Sequence, residues 1–307
     1  MRFESLLACA ALSWVLHVGP ALTLAGEQEG QSRLHALDIR VAVGDWGNAP
    51  PKNIERVCES AAMELWRFFP ARRLHPIRIS RSREGPIVLF DRLPSGEYQV
   101  RLDSEGAHWA QFAFQFAHEF CHILCSYRAG EQPNKWFEES ICEMASLFAL
   151  RKMARTWKVS PPYPNWKDFA PHLKDYADER IEEIHLPADT TLAQWYRRHA
   201  QELYSSSCRE ELNRVVAAAL LPLFEQEPQH WEAVAYLNAG KSFPGQSFKE
   251  YMEDWEYHVP KRHKEFVRRI ARLFNVDEYG AARPARAPSK TDGAGPAGGE
   301  PGLNARA

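Results

Sequence analysis

One predicted helix that is apolar on nearly every side, yet carries two histidines and a glutamate, most constrains how this chain can fold. The three residues are His118, Glu119 and His122 in the sequence HEFCH. On a helix the two histidines lie one turn apart and are rotated by only about 40°, so both imidazoles face the same way. The pattern predicts that His118 and His122 hold one zinc ion, with Glu119 as the general base for a zinc-activated water molecule.

The residues around this motif argue against an accidental match. The chain has 12 histidines, and a chance HExxH in it has a probability of roughly a few per cent. An accidental motif would lie on a solvated helix, because burying two imidazoles and a carboxylate is costly unless they are paired or bound to metal. The flanking side chains instead predict a buried helix: Trp109, Phe112, Phe114, Phe116, Phe120, Ile123 and Leu124.

A catalytic zinc ion needs a third protein ligand, and the next predicted helix offers glutamates in the sequence WFEESICE. Glu139 and Glu143 lie about 40° apart on one side of that helix, and Glu138 falls between this side and the apolar stripe. One reading is that these glutamates simply face solvent. A wholly solvated face would not be surrounded by the apolar residues found here: Trp136, Cys142, Leu147 and Ala149.

Together, the segments HEFCH and WFEESICEMAS resemble the gluzincin metallopeptidases of peptidase clan MA, which include thermolysin-like enzymes and aminopeptidases. The resemblance implies that His118, His122 and Glu139 are zinc ligands and that Glu119 is the general base. It also implies that Glu143 hydrogen-bonds a zinc-bound histidine. The connection between the two segments is shorter than in the best-known aminopeptidases, so Glu143 stays open as an alternative third ligand.

Composition and the start of the chain bear on partners and location. The 307 residues, 25% charged and 45% hydrophobic, are typical of one or two globular domains. A net charge of −2 gives no electrostatic reason to expect a nucleic-acid partner. Residues 1–25 are predicted to be a secretory signal peptide, an uncleaved anchor being the alternative. No later segment is apolar enough to span a membrane, so we expect a secreted or periplasmic protein.

The order of predicted elements indicates an α+β fold, with a small N-terminal sheet and one helix followed by a mainly helical, zincin-like catalytic region. The N-terminal α/β part is expected at 26–105, the helical metallopeptidase region at 106–278, and a disordered tail at 279–307. Strands are predicted at 36–43, 76–80, 86–90 and 96–103. Helices are predicted at 51–69, 135–155, 192–203, 210–221, 248–254 and 261–274, besides the one carrying HEFCH.

Three further features each have two readings. The cluster Cys121, Cys125 and Cys142 fits either small buried residues that pack two helices together or a thiol close enough to affect the metal. The strand Glu97–Leu102 is either the edge of the substrate cleft or an ordinary edge strand. Tyr204 either supports an oxyanion or only packs. Five cysteines remain after the signal peptide, and this odd number leaves at least one without an intramolecular partner.

The sequence therefore predicts a secreted zinc metallopeptidase that hydrolyses a peptide or protein substrate. The first alternative is a secreted zinc-binding module that has no catalytic activity, a pseudopeptidase acting through protein binding. The second is a helical interaction domain without metal. Metal analysis separates the last from the other two, and peptide hydrolysis with and without a chelator separates the first two. The sequence does not indicate an oligomeric state.

Overall fold

The computed structural model describes residues 36–129 and 132–276, which form a small sheet followed by a mostly helical region. This arrangement confirms the predicted α+β class. The predicted signal peptide at 1–25 and the predicted tail at 279–307 lie outside the described residues. Among the described residues, no helix combines the length and the apolar composition that a membrane crossing requires.

The sheet has four strands in the spatial order β1-β2-β4-β3. Strands β1, β2 and β4 run parallel, and β3 pairs antiparallel with β4 at one edge. Helix α1 forms the crossover between the parallel strands β1 and β2, as such a connection requires. The bounds are Ile39–Val41 for β1, Pro51–Trp66 for α1, Ile77–Arg81 for β2, Ile87–Val88 for β3 and Tyr98–Leu102 for β4.

The positions of β2 and β4 follow the alternation in the sequence, because their buried residues are separated by one residue that is less buried. In β4, Tyr98, Val100 and Leu102 are buried, as the two-residue period of a half-buried strand predicts. Both readings of residues 97–102, as the edge of the cleft and as an ordinary edge strand, are wrong, because β4 lies between β2 and β3. The edge strand is the two-residue β3, whose sequence is too short to show alternation.

Eight α-helices are present in the described part of the chain, and seven of them follow all four strands. The prediction missed α4, which follows a proline-rich turn and buries only Ala170, Leu173 and Ala177. So few buried positions leave little helical periodicity to detect. The helices after α1 are α2 Trp109–Leu124, α3 Lys135–Trp157, α4 Ala170–Glu183, α5 Leu192–Ser205, α6 Glu210–Gln226, α7 Phe248–His258 and α8 Lys261–Phe274.

Helix α3 is the central element of the helical region. It packs against α1, α2, α4 and α6, and nearly all of its residues from Trp136 to Leu150 are buried. At its N-terminal end, Phe137 contacts the rings of Phe248 and Phe274. Because α3 is enclosed on several sides and pairs with α2, its glutamates meet the histidines of α2 in a position fixed by core packing.

Candidate metal centre

Helices α2 and α3 open onto a cleft of about 540 Å³. Its floor carries side chains from both helices, and β3 and α4 contribute to its walls. The cleft volume lies within the range of about 300–1,000 Å³ that is usual for ligand sites. All five residues that the sequence singled out line it: His118, Glu119, His122, Glu139 and Glu143.

Two imidazole nitrogens and one carboxylate oxygen converge at the floor of this cleft. Oε2 of Glu139 lies 3.3 Å from Nε2 of His118 and 3.4 Å from Nε2 of His122. Two donors that are each about 2.1 Å from a tetrahedral zinc ion lie about 3.4 Å apart, so the distance from Glu139 to each imidazole fits a shared metal. Glu139 is therefore the glutamate that faces both histidines.

The second nitrogen of His122 has a buried partner that the sequence analysis did not identify. Nδ1 of His122 lies 2.6 Å from Oε1 of Glu138, and the amide of Asn238 donates to Oε2 of the same carboxylate at 2.7 Å. With a proton on Nδ1, His122 donates to Glu138 and presents the lone pair of Nε2 to the cleft. A carboxylate in this position fixes the tautomer and orientation of a ligating imidazole.

Glu143 does not make the hydrogen bond to a histidine that the resemblance implied. Its Oε2 lies 3.8 Å from Nδ1 of His118, which is longer than a hydrogen bond. Its Oε1 is buried without a hydrogen-bond partner among the described residues, and lies 3.9 Å from Nε of Arg214. Burial raises the pKa of Glu143, although the positive charges near it oppose this effect. Glu143 thus lines the cleft beside His118 without a hydrogen bond to it.

The electrostatics of this group favour a cation between the three converging atoms. Burial alone would lower the pKa values of His118 and His122, but the neighbouring glutamates outweigh it and raise both, that of His122 well above its usual value. Burial would likewise raise the pKa of Glu139, yet the two imidazoles lower it. An imidazole lone pair facing a carboxylate is unfavourable unless a proton or a metal ion lies between them.

A second donor set shares the two histidines. One ring nitrogen each of His118 and His122 and the sulfur of Cys142 lie within 4.8 Å of one another. Cys142 is fully buried and does not line the cleft, whereas Glu139 does. Because a catalytic metal keeps one position open to solvent or substrate, the set completed by Glu139 is the one suited to a reaction in the cleft.

Two further cysteines, Cys121 and Cys125, lie beside Cys142. The thiols of Cys121, Cys125 and Cys142 are all buried and lie within 4.8 Å of one another. Burial raises the pKa values of Cys125 and Cys142 well above the usual value. All five cysteines in the described residues are free thiols, so the structure contains no disulfide between them.

Glu119 is held from the sheet side of the cleft. It is only 4% exposed, and its Oε2 accepts a hydrogen bond of 2.7 Å from the backbone N–H of Val88 in the edge strand β3. The outer N–H groups of an edge strand have no partner in the sheet, so this one is available to orient a side chain. Its other carboxylate oxygen has no such contact among the described residues.

Arg72 stabilises the end of α2 that carries His122. Its guanidinium donates to the carbonyl of Ile123 at 2.9 Å, to the hydroxyl of Ser126 at 3.0 Å, and also to the carbonyl of Leu124. The last carbonyls of a helix have no partner within the helix, and a cation there is favourable. The loop after α1 thus fixes the end of the helix that carries both histidines.

Tyr204 lies away from the cleft. Its hydroxyl accepts a hydrogen bond of 2.8 Å from the backbone N–H of Phe248 and lies 3.2 Å from the hydroxyl of Tyr196. These contacts join α5 to α7 and account for the position of its side chain. Of the two readings of Tyr204, the structure favours packing.

The charges that line the cleft are unbalanced. With both histidines neutral, as metal ligands are, four carboxylates and two cations face it, and a divalent ion would offset the difference. The donor chemistry, the spacing of the donors and the charge therefore all fit a metal ion. The charged lining residues are Glu119, Glu139, Glu143 and Glu210, with Lys135 and Arg180.

Comparison of the chain with protein-family models, with curated proteins and with solved structures finds no match. The interpretation of the cleft therefore depends on its own geometry and on the two motifs that line it.

Proposed function

We propose that this protein is a zinc-dependent metallopeptidase. The observation that carries the proposal is the convergence of Nε2 of His118, Nε2 of His122 and Oε2 of Glu139 at the spacing of metal ligands. Glu119 lies beside them, buried in the same cleft. The resemblance of HEFCH and WFEESICEMAS to gluzincins supports the same chemistry.

In this proposal His118, His122 and Glu139 hold the ion, and Glu138 keeps the ring of His122 in the tautomer that a ligand needs. Zinc, when bound, supplies a Lewis acid that polarises a carbonyl group and acidifies a water molecule to a pKa of about 7. Lys135, whose Nζ lies 3.8 Å from Oε1 of Glu139, partly neutralises that carboxylate from its other side.

Glu119 is the general base. Its carboxylate takes the proton of the attacking water and passes it to the nitrogen of the leaving amine, so that no net charge accumulates on the protein. The hydrogen bond from Val88 holds one carboxylate oxygen. The other oxygen is left for the proton transfer.

The cleft suits an extended peptide. The edge strand β3 forms one wall, where the exposed side chains of Ile87 and Phe90 offer apolar contacts. The predicted signal peptide at 1–25 supports action outside the cytoplasm, in a secreted or periplasmic setting.

The decisive test is Glu119→Gln. Loss of a general base costs about 10²–10⁴ in rate, while the metal ligands are unchanged, so hydrolysis should fall by that factor with zinc still bound stoichiometrically. Peptide-library hydrolysis with and without chelator measures the rate, and elemental analysis measures zinc. Glu105→Gln, at a side chain 61% exposed, is the matched control and should behave as wild type.

Full activity in the Glu119→Gln protein would reject the mechanism. Bound zinc with no hydrolysis of any peptide in the wild-type protein would instead favour the pseudopeptidase. Absence of bound zinc after loading would reject the metal site itself.

A further inference from the structure

The wall of the cleft formed by α4 carries a cation with an unusual set of contacts. The guanidinium carbon of Arg180 lies 4.2 Å from the ring centroid of Phe114 and 5.0 Å from that of Tyr176. Its Nη2 donates to the hydroxyl of Tyr176 at 3.1 Å. The two rings hold the guanidinium in a defined position at the cleft wall.

Arg180 has no carboxylate within ion-pair distance in the described part of the chain. Its neighbour Arg214 is different, because Nη2 of Arg214 binds Glu183 at 2.7 Å. Arg214 also donates to the backbone carbonyl of Arg180 at 3.1 Å, which fixes the backbone of α4 at this point. Of the five N–H groups that a guanidinium offers, Arg180 therefore keeps most for another partner.

The nearest carboxylates do not form an ion pair with Arg180. Glu143 and Glu210 interact with Arg180 through charge but not through contact. The carboxylate of Glu143 instead lies 3.8 Å from Nδ1 of His118 and 3.9 Å from Nε of Arg214. Glu210 is exposed to solvent, where its charge is screened. The cation thus faces the cleft without a protein anion bound to it.

We propose that Arg180 receives a carboxylate of the substrate, on the wall of the cleft whose floor carries the candidate metal centre. Beyond the hydrogen bond of Nη2 to Tyr176, the guanidinium keeps N–H groups that can match a carboxylate with two parallel hydrogen bonds. This inference rests on the proposed peptidase function and adds its substrate class, peptides with a carboxylate near the scissile bond. That carboxylate belongs either to an acidic side chain or to a free C-terminus.

Binding to the zinc-loaded Glu119→Gln protein tests this without turnover. Three fluorescent peptides of one neutral core sequence are compared by anisotropy: one with an acidic side chain and amidated C-terminus, one neutral with a free C-terminus, and one neutral and amidated. At least one carboxylate-bearing peptide should bind about tenfold or more tightly than the neutral amidated peptide, because charged hydrogen bonds contribute that much. Which peptide is preferred identifies the source of the carboxylate.

Adding Arg180→Gln should remove the preference, and Arg180→Lys should keep part of it, since a point charge remains without the fork. The matched control is Lys174→Gln, a cation on the same helix that is 56% exposed and does not line the cleft; it should keep the full preference. Thermal unfolding of each variant shows whether the helix is intact.

Equal binding of the three peptides, or a preference that survives Arg180→Gln in folded protein, would overturn the inference. Its failure is separate from failure of the proposed function. Wild-type protein that cleaves no peptide contradicts the peptidase proposal, yet an Arg180-dependent preference measured in the inactive variant would still support carboxylate binding.

Discussion

Two pairs of histidines in this protein have the same separation and opposite chemistry. The ring centroids of His118 and His122 are 5.1 Å apart, as are those of His230 and His263. In the first pair, both Nε2 atoms face the carboxylate of Glu139. In the second pair the Nδ1 atoms of the two rings point at each other and lie 2.9 Å apart.

The difference decides which pair can hold a metal. A hydrogen bond between the Nδ1 atoms of His230 and His263 uses the lone pair of one ring and the proton of the other, so these nitrogens cannot both bind an ion. Neighbouring groups move the pKa values accordingly. Burial lowers those of His230 and His263, whereas the glutamates raise those of His118 and His122. Convergence on a shared third donor, rather than closeness of two rings, distinguishes the candidate metal centre.

The strongest test of this distinction compares the two donor sets around His118 and His122. Glu139→Gln removes the carboxylate that is the third ligand and should weaken zinc binding by at least about 100-fold, more than the loss of a supporting residue usually does. Cys142→Ala should leave the affinity within a few-fold of wild type, because its thiol does not face the cleft. Competition with a chromogenic chelator measures both affinities.

If Cys142→Ala weakened zinc binding more than Glu139→Gln did, the metal would instead be assigned to the set completed by Cys142. Cys142→Ala should lower the free energy of unfolding slightly through the small cavity that it leaves. Thermal unfolding of the metal-free proteins separates that effect from zinc affinity.

A smaller effect is expected from Glu138→Gln. The substitution keeps the size of the side chain but removes the charged acceptor of Nδ1 of His122, so zinc affinity should fall by about 10–100-fold. Glu143→Gln, at a carboxylate 3.8 Å from Nδ1 of His118, is the comparison and should cost less. Equal losses in the two variants would mean that both carboxylates support the ligands equally.

The smallest expected effect is that of His230 and His263 on the pH dependence of the free energy of unfolding. The pKa values of His230 and His263 are lowered from 6.5 in the folded protein, so the unfolded chain binds protons more readily. The contribution of these two histidines to the free energy of unfolding is complete above pH 6.5. It is lost as the pH falls through 6.5 towards the lowered pKa values. The slope is at most about 1.4 kcal/mol per pH unit for each histidine.

His263→Gln should therefore reduce the loss of unfolding free energy between pH 8 and pH 5, measured by urea denaturation. The histidines of the metal centre, whose pKa values are raised, act in the opposite direction but contribute equally to both proteins. His199→Gln, a partly exposed histidine outside both pairs, should leave the slope unchanged. A slope in His263→Gln equal to that of wild type would show that this pair does not set the pH dependence.

Local periodicity was sufficient to place the main residues of the cleft on one face of each of two helices. His118, Glu119 and His122 share one helix, so their relative positions follow from the helical repeat alone. Glu139 and Glu143 lie on one face of the next helix for the same reason. The α+β class also follows from the order of elements, because strands come first and helices follow.

The parts that the sequence did not reveal depend on tertiary contacts. Glu138 meets His122 and Asn238 across a separation of up to 100 residues, and no local pattern specifies such a contact. Arg180 lies on α4, which the prediction missed because few of its residues are buried. A strand at 86–90 was predicted and contains β3, but the position of β3 at one edge of the sheet depends on its pairing with β4.

The hydrogen bonds of Val88 and Arg72 bear on how the molecule could be divided. Both residues belong to the N-terminal α/β part, yet one holds the carboxylate of Glu119 and the other holds the end of α2. A fragment that begins near residue 106 would keep every proposed metal ligand and lose both of these contacts. The sheet and the helical region must therefore be kept together in any engineered fragment. Transplanting the two motif helices alone would not transfer an ordered site.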